Sequence, residues 1–178
     1  MKFNRIAIIA VLAIFTVILA GSASAFDLGF LTGGDEAQAD EPQTVTVGGI
    51  DFNIPAGFTE NETYKMEDET SSTSGVDYTM NAAGYEDDSK NNAIYILVGD
   101  YGDFNVTDDI IEYVVDSMDY EKQTINGHNG YLVQESSSDS SSLMAVDEPI
   151  YMFVYEQNGD LVFLGATDDA YFSDIIIE

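Results

Sequence analysis

The sequence predicts an α+β domain, in which an antiparallel sheet built from hairpins carries two main helices. Three observations support this fold class. Residues 93–98 are apolar at every position, as in a strand that is covered on both faces. Residues 107–118 then place apolar side chains at helical spacing after Thr107, whose hydroxyl is expected to cap the helix. Glycine-containing steps also separate pairs of strand-like segments, which is typical of tight hairpins.

The remaining strands follow from short-range patterns along the chain. Gly48-Gly49 separates two segments that alternate apolar and polar residues, and Asn-Gly steps lie within residues 126–130 and 157–160. The polar, acidic residues 60–75 are expected to be a surface excursion. The predicted strands are residues 45–47, 50–54, 76–85, 93–98, 123–125, 131–133, 150–155 and 161–164.

A second helix is expected near the end of the chain. Thr167-Asp168-Asp169 repeats the Thr-Asp-Asp start of the first helix, and residues 170–177 offer an apolar face. Helices laid on the sheet allow helix–sheet–helix layers as one arrangement.

The chain is expected to begin with a secretory signal peptide, residues 1–25. Lys2 and Arg5 precede an apolar run, and an Ala-Ser-Ala site predicts cleavage before Phe26. Retention as an uncleaved anchor is the alternative, although the run is shorter than the roughly 18 apolar residues of a spanning helix. We expect residues 26–43 to form an acidic linker, residues 44–178 to form a single α+β domain, and the protein to be secreted or cell-surface.

The net charge restricts the class of partner. All 33 acidic residues follow residue 25, where only three lysines remain, so this part of the chain carries a net charge of −30. Phosphate binding needs Lys and Arg, which argues against nucleic acid and anionic membrane surfaces. The charge favours cations or an unidentified basic protein, and we expect a monomer or weak oligomer. The absence of cysteine excludes a disulfide framework and thiolate chemistry.

Residues 47–58, which contain Gly-Ile-Asp-Phe-Asn-Ile-Pro-Ala-Gly-Phe, carry a resemblance to a known family. This segment resembles the opening of PsbP/Mog1-like domains, and the hairpin-helix-hairpin-helix order is also similar to theirs. Two further segments, residues 25–30 at the predicted cleavage site and residues 124–127, resemble segments of small exported proteins of methanogenic archaea. The resemblance implies the α+β fold and an accessory or binding role, and it supplies no catalytic residue.

A calcium site is the first alternative function. Residues 100–109 are dense in the oxygen ligands that Ca²⁺ prefers, and the candidate ligands are Asp100, Asp103 and Asp109. The EF-hand pattern fails, because glycine is missing from its sixth position whether Asp100 or Asp103 is taken as the first. Asp109 is also explained as a helix-start residue, since carboxylates suit that end of a helix.

A carboxylate-dependent hydrolase is the second and less favoured alternative. The single histidine, His128, lies in a predicted turn, and no G-x-S-x-G motif is present. One histidine without cysteine cannot complete a zinc shell, and no tryptophan is available to stack a sugar. Asn61 and Asn105 match the N-x-S/T acceptor pattern for N-glycosylation, and both lie in predicted loops. We therefore expect an exported, non-catalytic accessory or binding domain without a cofactor, unless Ca²⁺ is one.

Overall fold

The structure is a computed structural model that describes residues 41–73, 76–89, 91–116, 118–135 and 150–177. Ten strands, two α-helices and a 3-10 turn lie within these residues. The strands are β1 (Gln43–Val47), β2 (Ile50–Ile54), β3 (Phe58–Glu60), β4 (Met66–Thr73), β5 (Val76–Asp87), β6 (Ala93–Asp100), β7 (Tyr120–Ile125), β8 (His128–Glu135), β9 (Ile150–Gln157) and β10 (Asp160–Ala166). The helices are α1 (Asp108–Val115) and α2 (Tyr171–Ile175), and the 3-10 turn is Glu62–Tyr64.

Eight of the strands form one antiparallel sheet. Its order is β3-β5-β6-β10-β9-β8-β7, and β4 also pairs with β5. The central strand β6 lies between β5 and β10, with Ile94, Ile96 and Leu97 buried. The prediction of a strand covered on both faces is therefore confirmed.

Three predicted hairpins are also confirmed. β1 pairs with β2, β7 with β8, and β9 with β10. Their turns, Gly48-Gly49, Asn126-Gly127 and Asn158-Gly159, have positive φ at both residues. This conformation is the one that two-residue hairpin turns require and that Gly and Asn tolerate.

Different elements cover the two faces of the sheet. On one face α1 buries Ile110, Ile111, Val114 and Val115 against a core that includes Phe163. On the other face the β1–β2 hairpin and α2 pack together over a second core. The hairpin and α2 contribute four side chains to this core that are less than 1% exposed: Phe52, Ile54, Phe172 and Ile175.

The predicted fold class is wrong. In the described part of the chain, strands account for 59% and helices for 14%, and only α1 has seven or more residues. The protein is mostly antiparallel β-sheet, and not an α+β domain with two main helices. A hairpin with a five-residue helix stands on the face where the second helical layer was expected.

The second Thr-Asp-Asp motif does not start a long helix, for two reasons. The Thr167 hydroxyl accepts a hydrogen bond from the Ala93 N–H (3.2 Å), so it joins the end of a neighbouring strand. Ile176 is extended (φ −76°, ψ 122°) and bridges Phe52 of β2, which ends α2 at Ile175. Thr107 does precede α1, but its hydroxyl makes no capping hydrogen bond.

The predicted surface excursion at residues 60–75 is also wrong in its central part. Met66–Thr73 forms β4, an edge strand that pairs with the twelve-residue β5. β5 extends beyond its short partner β3, so it offers backbone groups to β4 even though β4 has no apolar alternation.

The predicted signal peptide and residues 26–40 of the predicted linker lie outside the described residues. No helix among the described residues is long and apolar enough to cross a membrane.

Candidate functional site

One group of described carboxylates, at the start of α1, is close enough to share a metal ion. Asp108, Asp109 and Glu112 each offer an oxygen, and these oxygens lie within 4.8 Å of one another. Asp108 and Glu112 lie one helical turn apart, which brings their side chains to the same face. The two aspartates are exposed in the first turn, where the helix dipole favours negative charge.

A lysine already neutralises part of this cluster. The Lys122 ammonium lies 2.8 Å from Glu112 Oε2, and it also stands over the Tyr131 ring at 5.4 Å from the centroid. The hydrogen bond from Lys122 lowers the pKa of Glu112. The Tyr120 and Tyr131 hydroxyls donate to the same carboxylate at 3.4 Å. Glu112 therefore links α1 to β7 and β8, and a cation would have to compete with Lys122.

The structure does not bring the three predicted calcium ligands into one such group. Asp100 accepts a hydrogen bond from the Gly102 N–H (2.7 Å), and Asp103 is exposed. Of the three, only Asp109 belongs to the described cluster. Sequence reasoning missed Glu112, although its spacing from Asp108 would have indicated it.

A second concentration of negative charge surrounds the start of β10. Burial and then the nearby Asp100 and Glu156 carboxylates raise the pKa of Asp160. The Glu156 carboxylate accepts a hydrogen bond from the Gly159 N–H in the same turn (2.8 Å). The two described lysines, Lys65 and Lys122, form ion pairs with other carboxylates, so neither of them pairs with this group.

A cavity of about 200 Å³ lies beside β1. Thr46 and Val47 of β1 form one wall, and Lys65 and Met66, at the start of β4, line it as well. Tyr85 of β5 is 3% exposed and also lines the cavity. Burial and the Glu60 carboxylate raise the pKa of Tyr85 to about 12, so its hydroxyl stays protonated. Sequence reasoning missed this cavity, because its walls come from strands that are distant in the chain.

Two carboxylates and one lysine also line the cavity. Lys65 Nζ lies 3.9 Å from Glu60 Oε1 and 3.3 Å from Glu67 Oε1. The facing oxygens are thus at most about 7 Å apart, an upper limit that is compatible with the roughly 5–9.5 Å between glycosidase carboxylates. Lys65 occupies the space between them, however, where a substrate oxygen would have to lie. This arrangement is that of an ion-pair network at a cavity mouth.

The other residues singled out in the sequence occupy structural positions. The prediction that His128 lies in a turn is wrong, because the turn occupies only Asn126 and Gly127 and His128 is the first residue of β8. Its ring lies 5.0 Å from the Tyr155 ring, centroid to centroid. Asn61 is half-buried, and its Oδ1 accepts a hydrogen bond from the Thr63 N–H (3.0 Å). Asn105 is exposed in the loop before α1.

Comparison with protein-family models, curated proteins and solved structures found no match. The resemblance to PsbP/Mog1-like domains therefore stays a prediction.

Proposed function

We propose that this protein is an exported, non-catalytic binding domain whose partner carries positive charge. The observation that carries the proposal is the excess of carboxylates over lysines. Both described lysines, Lys65 and Lys122, already lie in ion pairs with carboxylates. After residue 25 the chain has 33 acidic residues and only three lysines, so most carboxylates have no lysine with which to form an ion pair.

The described surface also argues against recognition through an apolar patch. Its exposed large hydrophobic residues are Tyr113, which is 59% exposed, and Ile177, which is 38% exposed. Single exposed apolar residues are ordinary on a protein surface, whereas apolar interfaces need contiguous patches. Electrostatic complementarity is thus the property that this surface offers to a partner.

Binding to a defined polycation tests the proposal. The purified protein is titrated with a lysine homopolymer by calorimetry, and the control is the same polymer with its amines acetylated. We expect binding only to the charged polymer, with an affinity that falls as salt rises, because screening weakens attraction between exposed charges. Equal binding of both polymers, or of neither, would contradict the proposal.

Cell fractionation tests the export part separately. We expect protein recovered outside the cytoplasmic membrane to begin at Phe26. Protein that accumulates inside the cell with Met1 intact would contradict export without affecting the polycation result.

A further inference from the structure

Within the part of the chain that the structure describes, the β1–β2 hairpin has one covered edge and one open edge. β2 is covered on its outer side, where Phe52 bridges Ile176 and the Asn53 side chain donates to the Asp174 carbonyl (3.2 Å). Among the described residues, β1 pairs only with β2, in a two-stranded sheet. The cavity of about 200 Å³ runs along the other side of β1.

The register shows which backbone groups face this open side. In a two-residue hairpin the closing pair, here Val47 and Ile50, exchanges both of its hydrogen bonds, and hydrogen-bonded pairs then alternate with non-hydrogen-bonded pairs. Thr46 and Thr44 fall in the non-hydrogen-bonded positions. Their N–H and C=O groups therefore point away from β2, toward the cavity side.

We propose that β1 is a docking edge, and that an extended, lysine-bearing segment of a partner protein adds to it as a third strand. The inference rests on the proposed binding function and deepens it by naming the surface and the partner's chemistry. Unpaired strand edges accept extended peptides through main-chain hydrogen bonds, and adjacent pockets select their side chains.

The charge around the cavity selects lysine on the incoming strand. Three carboxylates act on the single Lys65 ammonium there, those of Glu60, Glu62 and Glu67, which leaves negative charge in excess. Met66 and Val47 offer apolar surface for the stem of a long side chain. A lysine that enters the cavity can thus bury its stem and keep its ammonium beside carboxylates.

Amide hydrogen exchange provides the first test. The probe is a capped peptide of alternating lysine and valine that is long enough to span β1, and the control probe replaces lysine with glutamate. In the free protein the Thr44 and Thr46 amides should exchange rapidly, and the lysine probe should slow them selectively. Slow exchange of both amides without the probe would mean that the protein's own chain or a second copy covers the edge, which overturns the proposal.

A matched pair of variants provides the second test. Thr46→Pro removes an N–H that the β1–β2 ladder does not use, so the hairpin should persist. Thr46→Val keeps that N–H and, like the proline variant, loses the hydroxyl that donates to Asp51. We expect the proline variant to bind the lysine probe about tenfold more weakly, since it loses one hydrogen bond and its ring obstructs the added strand, and the valine variant to bind normally.

The outcomes separate this inference from the proposed function. Equal binding of the probe by both Thr46 variants, or equal binding of the lysine and glutamate probes, overturns the docking edge. If the proline variant still binds the lysine homopolymer, the general proposal survives that result. If the unaltered protein does not bind the lysine homopolymer, both the proposed function and the docking edge are overturned.

Discussion

The Asn126 side chain joins the β7–β8 turn to the end of α2, and replacing it with aspartate tests how much this link contributes to stability. Its Nδ2 donates to the carbonyls of Ser173 (2.8 Å) and Ile176 (2.7 Å). The last carbonyls of a helix have no partner within the helix, so these bonds supply one. Aspartate retains the shape and tolerates the positive φ of this turn (46°), but it cannot donate.

The expected loss can be worked out from these contacts. Two hydrogen bonds contribute about 1 kcal/mol each, and a carboxylate beside a helix C-terminus adds about 0.3–1 kcal/mol of repulsion. Asn126→Asp should therefore lower the free energy of unfolding by about 2–3 kcal/mol. Because α2 has only five residues, it depends on such contacts rather than on its own helical stability.

Asn158→Asp is the matched control. Asn158 occupies the same position of another Asn-Gly hairpin turn (φ 58°), but it is exposed, and its side chain makes no hydrogen bond within the described residues. Urea unfolding followed by far-ultraviolet circular dichroism measures both variants. The control adds a carboxylate beside Glu156 and Asp160, and this exposed like-charge repulsion should cost no more than about 1 kcal/mol. Equal losses in the two variants would show that added charge or the turn, and not the α2 link, carries the effect.

Three further predictions concern packing, pH and cations. Gly130→Ala should destabilise the protein by about 1–3 kcal/mol in the same urea assay, since an added Cβ would lie 2.6 Å from Phe153 Cζ. Asp160→Asn should raise the free energy of unfolding at pH 7 by roughly a few tenths of a kcal/mol after solvent screening, which is measured as a slightly higher melting temperature. Burial and Asp100 raise the pKa of Asp160 and so disfavour its charged form, and the gain should vanish below the ordinary aspartate pKa of about 3.9. If Asp100 and Asp103 bind calcium, CaCl₂ should raise the melting temperature in a saturable way, and by more than NaCl does at equal ionic strength. Replacing both aspartates with asparagine should abolish this extra increase. Equal increases in melting temperature with CaCl₂ and with NaCl would exclude the site.

Local patterns predicted the hairpins because a two-residue turn is encoded in two adjacent residues. Gly48-Gly49 and Asn158-Gly159 each supply the positive φ values that fix the turn and the register of both flanking strands. The strand β4 gave no such signal, because its acidic side chains face solvent and its pairing depends on the length of β5.

The helices and the site depended on contacts between distant residues. The apolar side chains of residues 170–177 fit a helical face in the sequence, but the bridge from Ile176 to Phe52 makes the last part extended. In the same way, Thr46 lies in β1 and Lys65 lies between the 3-10 turn and β4, and only the packing of the hairpin on the sheet places them around one cavity. Tertiary contacts of this kind override local propensity and leave no local pattern.

The packing of α2 against the β1–β2 hairpin has a consequence for the order of folding. Phe52 and Ile176 meet although most of the domain lies between them in the chain, whereas each hairpin pairs residues that are close in sequence. Contacts between distant segments carry a large loop-closure cost and slow folding. The hairpins can therefore form early during synthesis, but the core between β2 and α2 closes only after residue 176 has been made. Until then the side of this core that Phe172, Ile175 and Ile176 cover stays open, so we expect the newly made protein to be most prone to aggregation at this stage.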